Sequence, residues 1–263
     1  MLLETKDLRK VFHVGLIRRK EIVAVDSVSI DVEPKKFISF VGESGSGKTT
    51  TAMMILRLLK PSSGSVIFEG KNVWDFKKIN ELRSYWRQVH AIFQDPYASY
   101  NPLHKIDRIM YQAFNLMEQS GTDKDKMVRE ALREVGLRPE DVLGKYPHEL
   151  SGGQRQRIML ARCYLLRPKL IVADEPISMI DASTRASVLE LFSKLREEYD
   201  TSVIFITHDL GLAYYVSDEI LIMYKGSIVE RGPPDELMNR PQDPYTKRLR
   251  EDIPLLYRKW DGF

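Results

Sequence analysis

A glycine-rich run that ends in a lysine and two threonines is the stretch of this chain with the most specific chemistry. It consists of Gly42, Glu43, Ser44, Gly45, Ser46, Gly47, Lys48, Thr49 and Thr50. The run fits the pattern GxxxxGK[ST], in which glycines let backbone N–H groups wrap around phosphate oxygens. The lysine of that pattern reaches the outer phosphates, and the hydroxyl after it binds Mg²⁺. The run therefore predicts a site for ATP and Mg²⁺.

Two adjacent acids follow an apolar run further along the chain. Leu170 to Ala173 is apolar throughout and leads directly into Asp174 and Glu175. Ligands of open α/β sheets bind at the carboxyl ends of strands, where these acids are expected. Asp174 is suited to hold Mg²⁺ through its water shell, and Glu175 can polarise an attacking water. Many strands end in a solvated acid, so this prediction depends on the phosphate loop upstream.

A second candidate anion site has the sequence LSGGQ at 150–154. Ser151 and Gln154 fit a capping box, which by itself explains the motif as an ordinary helix start. However, Gly152 and Gly153 inside a first helical turn cost roughly 1 kcal/mol each in helix stability. Close approach of a phosphate would explain both glycines. Because one nucleotide needs one phosphate loop, we predict an ATPase whose site closes when two copies meet.

The elements around these motifs alternate between strands and helices. Phe37 to Val41 is almost continuously apolar, as in a strand buried on both faces, and it leads into the glycine run. A helix is predicted from Lys48 to Leu59, ended by Pro61. Helical patterns separate several further candidate strands, at 89–93, 170–173, 203–207 and 220–223. This order favours an α/β fold with a mainly parallel sheet and helices on both faces.

Other segments depart from this alternation. Two runs alternate apolar and polar residues, as half-exposed antiparallel strands do, at 28–33 and 65–70. Between 96 and 150 the strand signal disappears, and Asp123 to Val135 is an amphipathic helix with Gly136 as its stop. We predict a helical insertion at about 95–155 and, from its prolines, a C-terminal appendage at about 233–263.

Composition narrows the class of protein. Forty basic and thirty-seven acidic residues among 263 give a net charge of +3, so no nucleic-acid partner is expected. The basic run 18–20 is expected to be a solvated loop. Cys163 is the single cysteine, which excludes an internal disulfide. No run approaches the roughly 20 apolar residues that span a bilayer, and the acidic N-terminal run does not resemble a signal peptide. Any function at a membrane would need a membrane partner.

The sequence closely resembles the nucleotide-binding subunits of ABC (ATP-binding cassette) transporters over nearly its whole length. The motifs occur in the family's order: the phosphate loop at 42–49, Gln94, LSGGQ at 150–154, the acids at 174–175, the run 178–181, and His208. The resemblance implies a single ABC ATPase domain over 1–263, with a RecA-like P-loop NTPase core, an antiparallel β subdomain and a helical subdomain.

The resemblance also implies roles for single residues. Gln94 should contact Mg²⁺ and the attacking water, and should sense the membrane partner through the segment after it. His208 should contact the γ-phosphate, and Asp181 should lie at the dimer interface. The family usually has Ala-Leu before this aspartate, where the chain has Met179 and Ile180, so altered packing is expected there. Phe12 is the candidate for stacking on adenine, with a core phenylalanine as the alternative.

Two segments resemble the oligopeptide and dipeptide importers of this family: 94–102, and the run 240–249 with its P-x-x-P-Y-T pattern. The second is also compatible with an ordinary closing helix. Related importers carry oligosaccharides or nickel, so the cargo stays open. The resemblance implies a second ATPase subunit, identical or a close paralogue, and two transmembrane permeases. It also implies an extracytoplasmic substrate-binding protein and a peripheral location on the cytoplasmic face of the membrane.

Three other classes of protein are alternatives to a transporter ATPase. A DNA-repair or chromosome ATPase would place long coiled coils between the loop and LSGGQ, and Lys48 and Ser151 are too close for that. A switch GTPase would carry an N-K-x-D motif, which the sequence lacks. A non-hydrolysing regulatory subunit is disfavoured because Glu175, His208 and LSGGQ are intact.

Overall fold

Ten strands form two sheets in the part of the chain that the computed structural model describes, which is residues 1–15, 20–94, 101–117, 123–178 and 180–253. The strands are β1 (Leu3–Val14), β2 (Lys20–Val32), β3 (Phe37–Val41), β4 (Ser63–Phe68), β5 (Lys71–Asn72), β6 (Val89–Ile92), β7 (Leu170–Asp174), β8 (Ser202–Thr207), β9 (Glu219–Tyr224) and β10 (Ser227–Gly232). One sheet has the order β2-β1-β4-β5 and the other β10-β9-β3-β8-β7-β6.

The six-stranded sheet is mainly parallel, as predicted. Strands β9, β3, β8, β7 and β6 run parallel, and β10 pairs antiparallel with β9. All residues of β3, β7 and β8 are buried, because their apolar runs are covered on both faces. Val41 pairs with Thr207, Asp174 with Ile206, and Ile92 with Ala173. The predicted site residues that follow these strands therefore share one edge of the sheet.

The four-stranded sheet is antiparallel. In β2 the side chains of Val28, Ile30 and Val32 are buried, while the residues between them are exposed. The buried face of this sheet packs against the first helix and the parallel sheet. The buried valines and isoleucine of β2 belong to one hydrophobic cluster with Phe40 of β3 and Met54 of the first helix. The predicted α/β fold with an antiparallel β subdomain is confirmed.

Ten α-helices occur in the described part of the chain. They are α1 (Lys48–Ile55), α2 (Ile79–Gln88), α3 (Ile106–Tyr111), α4 (Lys124–Glu134), α5 (Pro139–Val142), α6 (Gly152–Leu166), α7 (Ala182–Tyr199), α8 (Leu210–Val216), α9 (Pro234–Asn239) and α10 (Pro244–Glu251). Short 3₁₀ turns occur at Val73–Asp75, Gln112–Leu116 and Pro147–Glu149. Within the described ranges, none of these helices has the length and apolar character that crossing a bilayer requires.

Helices occupy the described residues between β6 and β7. Helix α4 begins where the Asp123 side chain accepts a hydrogen bond from the N–H of Lys126. It ends before Gly136, which has φ of +72°. Cys163 is fully buried in α6.

Helices α9 and α10 pack on β9 and α8 through Leu237, Tyr245 and other apolar side chains.

Helix α1 is shorter than predicted. It ends at Ile55, whereas the sequence analysis extended it to Leu59. Arg57 has a positive φ of 59°, and its guanidinium donates to the carbonyls of Val73 (2.8 Å) and Phe76 (2.7 Å). These contacts with the chain beyond the first helix account for its early end. Pro61 lies in the following turn and does not set the boundary.

Candidate nucleotide site

Glycines allow the phosphate loop to pass close to neighbouring backbone. A Cβ on Gly42 would clash with the carbonyl oxygen of Met223, and one on Gly47 would lie 2.6 Å from the carbonyl oxygen of Ala24. Gly47 also has φ of +106°, which residues with side chains seldom adopt. By contrast, a Cβ on Gly45 would meet no atom within 4 Å. The loop is thus pressed against β2 and β9 on one side and open on the other.

Lys48 lies inside this loop. Its ammonium donates hydrogen bonds to the carbonyls of Gly42 (2.6 Å) and Glu43 (2.8 Å) and to the Ser46 hydroxyl (3.2 Å). The residue is only 5% exposed. Burial lowers the pKa of Lys48, and the carboxylates of Glu175 and Asp174 oppose that shift. The buried cation adds to the backbone N–H groups and the helix start as an attraction for phosphate.

Thr49 and Asp174 come together at the loop. The Thr49 hydroxyl lies near the Asp174 carboxyl, which is 7% exposed at the end of β7. Burial raises the pKa of Asp174, the nearby Thr49 hydroxyl lowers it, and the nearby Glu175 raises it further. A hydroxyl and a carboxylate are oxygen ligands of the kind that Mg²⁺ prefers. The residues present therefore fit a magnesium ion held next to bound phosphates.

Glu175 and His208 form a pair beside this position. Glu175 Oε1 lies 3.2 Å from His208 Nδ1, and the N–H of Glu175 donates to the Ile206 carbonyl at 2.9 Å. Glu175 adopts φ of 45°, so its backbone leaves the sheet sharply. Both side chains line a cavity of about 90 Å³ together with Ser178 and Arg185. That volume is large enough for a water beside a carboxylate and an imidazole.

Gln94 and Phe12 are two predicted site residues outside these clusters. Gln94 is exposed two residues after β6, whose last residue pairs with Ala173 next to the acids. Phe12 is 37% exposed, pairs with Ile22, and has the Lys10 ammonium 5.2 Å from its ring centre. The segment 95–100, which the sequence analysis compared with peptide importers, lies outside the described residues.

The LSGGQ motif starts a different helix. The Ser151 hydroxyl accepts from the N–H of Gln154 (3.2 Å), and the Gln154 side-chain oxygen accepts from the N–H of Ser151 (3.0 Å), as the capping box predicts. Asp181 caps the adjacent α7 through the N–H and hydroxyl of Thr184, both at 2.9 Å. The two helix starts line one cavity of about 380 Å³, and none of the described residues lining it belongs to the phosphate loop.

Gly153 has a packing role that the sequence analysis missed. A Cβ at this position would lie 3.2 Å from the Thr184 methyl group, closer than side chains normally approach. The glycine pair was attributed to phosphate approach alone. Contact between α6 and α7 is a second reason for one of the two glycines.

Tyr245 is a further residue at the loop that the sequence analysis did not connect with it. The N–H of Glu43 donates to the Tyr245 hydroxyl at 2.8 Å. The tyrosine was noted only within the C-terminal P-x-x-P-Y-T pattern. A separation of 202 residues leaves no local signal for this contact.

The fold and these motifs define a phosphate-loop ATPase. Comparison with known families gives a match of residues 25–178 to the family described as "ABC transporter". "Oligopeptide transport ATP-binding protein OppF" of Bacillus subtilis (strain 168) is 43% identical over 97% of this chain and 83% of its own length. "Di/tripeptide transport ATP-binding protein DppF" of Pseudomonas aeruginosa (strain UCBPP-PA14) is 40% identical over 97% of this chain and 80% of its own.

A solved structure described as "Dimeric structure of a post-hydrolysis state of the ATP-binding cassette MJ0796 bound to ADP and Pi" is similar to this fold. Its TM-score is 0.79 at 26% identity, covering 89% of this chain and 99% of that one. The chain belongs to the ABC transporter family and is an ATPase of that family. The family, fold and enzyme predictions are confirmed.

Proposed function

We propose that the chain is the ATP-binding and ATP-hydrolysing subunit of an importer of oligopeptides or dipeptides. One observation supports the role in ATP hydrolysis. Neighbouring strands of the parallel sheet end at one edge, and the residues at or after those ends are Lys48, Thr49, Asp174, Glu175 and His208. The peptide cargo is supported by the relatives, which are named as oligopeptide and di/tripeptide transport proteins. No comparable observation favours oligosaccharides or nickel.

The residues of the loop bind and position the triphosphate. Residues 42–50 surround the phosphates with N–H groups, and Lys48 exchanges its bonds to loop carbonyls for bonds to phosphate oxygens. Phe12 stacks on the adenine from the end of the β1–β2 hairpin. Thr49, Asp174 and Gln94 would hold Mg²⁺, which would neutralise charge on the phosphate oxygens.

Glu175 and His208 act on the water that attacks the γ-phosphate. The Glu175 carboxylate orients the water and accepts its proton, while His208 holds the carboxylate in place and contacts the γ-phosphate. His208 Nδ1 and Glu175 Oε1 lie 3.2 Å apart, so the fold itself pairs the two groups. The contribution of the protein is mainly positioning and charge neutralisation.

A second ATPase subunit, identical or a close paralogue, completes each site. Ser151, Gly152, Gly153 and Gln154 of one subunit contact the triphosphate on the loop of the other, and Asp181 lies at that interface. The LSGGQ motif and Asp181 line one cavity, and none of the described lining residues belongs to the phosphate loop of the same chain. This separation supports contact between LSGGQ and a nucleotide held by the other subunit. The dimeric state named for the MJ0796 structure supports it as well.

Two transmembrane permeases bind the subunit on the cytoplasmic face of the membrane, with a substrate-binding protein outside the cell. An open cavity of about 380 Å³ next to Gln94 is the candidate docking site for a permease segment. It is lined by apolar and basic side chains, including Leu58, Trp86, Phe93, Leu116 and Arg162. We assign residues 1–263 to one ABC ATPase domain, with its helical subdomain at about 95–155 and its appendage at about 233–263.

The experiment that tests this function uses the Glu175→Gln variant of the purified protein. Glutamine keeps the size of the side chain but cannot accept a proton, so kcat for ATP hydrolysis should fall by about 10²–10⁴-fold. ATP binding should persist, and gel filtration with Mg·ATP should show a dimer. Glu197→Gln, which removes an exposed carboxylate near the end of α7, is the matched control and should keep normal turnover. Near-normal hydrolysis by Glu175→Gln would remove that residue from its role.

A further inference from the structure

The C-terminal helix α10 contacts the phosphate loop directly. The Tyr245 hydroxyl accepts the hydrogen bond from the N–H of Glu43, the second residue of the loop, at 2.8 Å. Tyr245 is 8% exposed whereas Glu43 is exposed, so this hydrogen bond is shielded from water on the tyrosine side. A partly shielded hydrogen bond of this kind fixes the direction of one peptide unit in the loop.

Tyr245 is itself held from two sides. Its ring stacks on Tyr224 at the end of β9, with 4.4 Å between the ring centres. Its N–H donates to the Asp243 carboxylate at 2.7 Å, which caps the start of α10. The carboxylate of Glu230 on β10 accepts from the backbone N–H groups of Gln242 (2.8 Å) and Asp243 (3.1 Å). The hydroxyl is therefore fixed relative to the sheet.

The apolar side of the appendage packs beneath the loop. Leu237, Tyr245 and Leu249 belong to one buried cluster with Ile222 of β9 and Val41, the residue that precedes Gly42. An ion pair between Arg248 and Glu43 at 3.5 Å is exposed and adds little. The buried packing and the hydroxyl contact thus connect the appendage to the strand that enters the loop and to the loop itself.

We propose that Tyr245 is a positioning residue for nucleotide binding. By fixing the Glu43 peptide, it keeps the phosphate loop in the shape that receives the triphosphate, so the C-terminal helix sets the affinity for ATP. This inference rests on the proposed binding of ATP at residues 42–50. Burial raises the pKa of Tyr245, so its hydroxyl stays neutral and places no negative charge beside the phosphates. Linkage is reciprocal, so bound ATP in turn holds α10 more firmly.

The Tyr245→Phe variant tests this role, since it removes the hydroxyl and keeps a ring to stack on Tyr224. The Kd for ATP, measured by calorimetry, should rise by about 3- to 10-fold, the effect expected of one shielded hydrogen bond. Tyr214→Phe is the matched control. It removes a tyrosine hydroxyl that donates to Asp235 at 2.9 Å, between α8 and α9 and away from the loop. Its Kd should stay within about twofold of the unsubstituted protein.

Hydrogen exchange gives a readout that a merely structural role would not change. Peptides covering 42–47 should exchange faster in Tyr245→Phe than in Tyr214→Phe when both have the same melting temperature shift. ATP should slow exchange in α10 of the unsubstituted protein and do so less in Tyr245→Phe. An unchanged Kd in Tyr245→Phe, or an equal loss in Tyr214→Phe, would overturn the inference and leave the proposed function intact. Failure of the unsubstituted protein to bind ATP would overturn both.

Discussion

The phosphate loop and the LSGGQ helix start both present backbone N–H groups at the beginning of a helix, yet they are built differently. The loop brings a buried lysine and a hydroxyl at the start of α1 together with two acids at the end of β7. The LSGGQ start uses its own serine and glutamine to satisfy the first turn, and its neighbour is another capped helix start. We call the first region the complete region, because its lysine, hydroxyl and acids come from one chain, and the second the docking face, because we propose that it contacts the other subunit.

Burial distinguishes the base of the phosphate loop from the LSGGQ start. Ser46 and Lys48 are 4% and 5% exposed, and the loop is pressed against the backbone of β2 and β9. Ser151 is exposed. A site pressed into the fold keeps its shape without a partner, whereas an exposed helix start can adjust when a partner arrives. ATP binding and ATP hydrolysis should therefore respond separately to substitutions in the two regions.

The largest effect is expected for Lys48→Ala, which tests the complete region. Loss of a buried cation on the phosphates should weaken ATP binding by about 100-fold or more in the isolated protein. Lys36→Ala, at the opposite end of β3, is the control and should bind ATP normally. Calorimetry of both variants provides the measurement. If Lys48→Ala bound ATP as tightly as Lys36→Ala, the loop would not be the primary site.

Gly153→Ala tests the docking face and should have an intermediate effect. Hydrolysis should fall by about tenfold or more, while the Kd for ATP stays near normal, because the added methyl would crowd the helix start that we propose contacts the other subunit's phosphates. The melting temperature should also fall, since crowding of Thr184 by the same methyl, at about 1–3 kcal/mol, exceeds the roughly 1 kcal/mol of helix stability that alanine adds.

Thr184→Ser separates the two causes in Gly153→Ala. Serine removes the crowded methyl and keeps the hydroxyl that donates to Asp181 at 2.9 Å. In the double variant the melting temperature should recover while hydrolysis stays low. Recovery of hydrolysis together with stability would show that Gly153 serves helix packing only, and the difference between the two regions would lose its functional meaning.

The smallest effect concerns Asp174 in the complete region. Burial raises the pKa of this carboxyl, so its ionised form destabilises the ligand-free fold at neutral pH. Asp174→Asn should therefore raise the melting temperature at pH 7, by about 2–4 °C for each 1 kcal/mol released. The folded carboxyl binds its proton more tightly than the unfolded one, so the gain should shrink as pH falls through the raised pKa. A gain that is independent of pH, as calorimetric scans at several pH values would reveal, contradicts this origin.

Strands and capped helices followed from local sequence. The apolar runs of β3, β7 and β8 predicted buried parallel strands, and Asp123 and Gly136 marked the ends of α4. These features depend on hydrophobic burial and on capping within a few residues, which a sequence displays directly. The phosphate loop was equally visible, because its pattern joins a strand and a helix in one run.

Contacts between distant segments did not follow from the sequence. Arg57 ends α1 by bonding to carbonyls 16 and 19 residues later, and no helix propensity predicts that geometry. Gly153 meets Thr184 and Glu43 meets Tyr245 only after the chain has folded. Such contacts depend on how elements cross in space, so a glycine or a tyrosine in these positions has no distinguishing local pattern.

The fully buried Cys163 makes the protein a convenient host for spectroscopic labels. Burial raises the pKa of its thiol to about 12, so at neutral pH it is neither ionised nor reachable by thiol reagents. A cysteine introduced on the surface would be the single reactive thiol of the chain. Spin labels placed in turn beside each of the two helix starts could then report distances between subunits during turnover, without first removing a native cysteine.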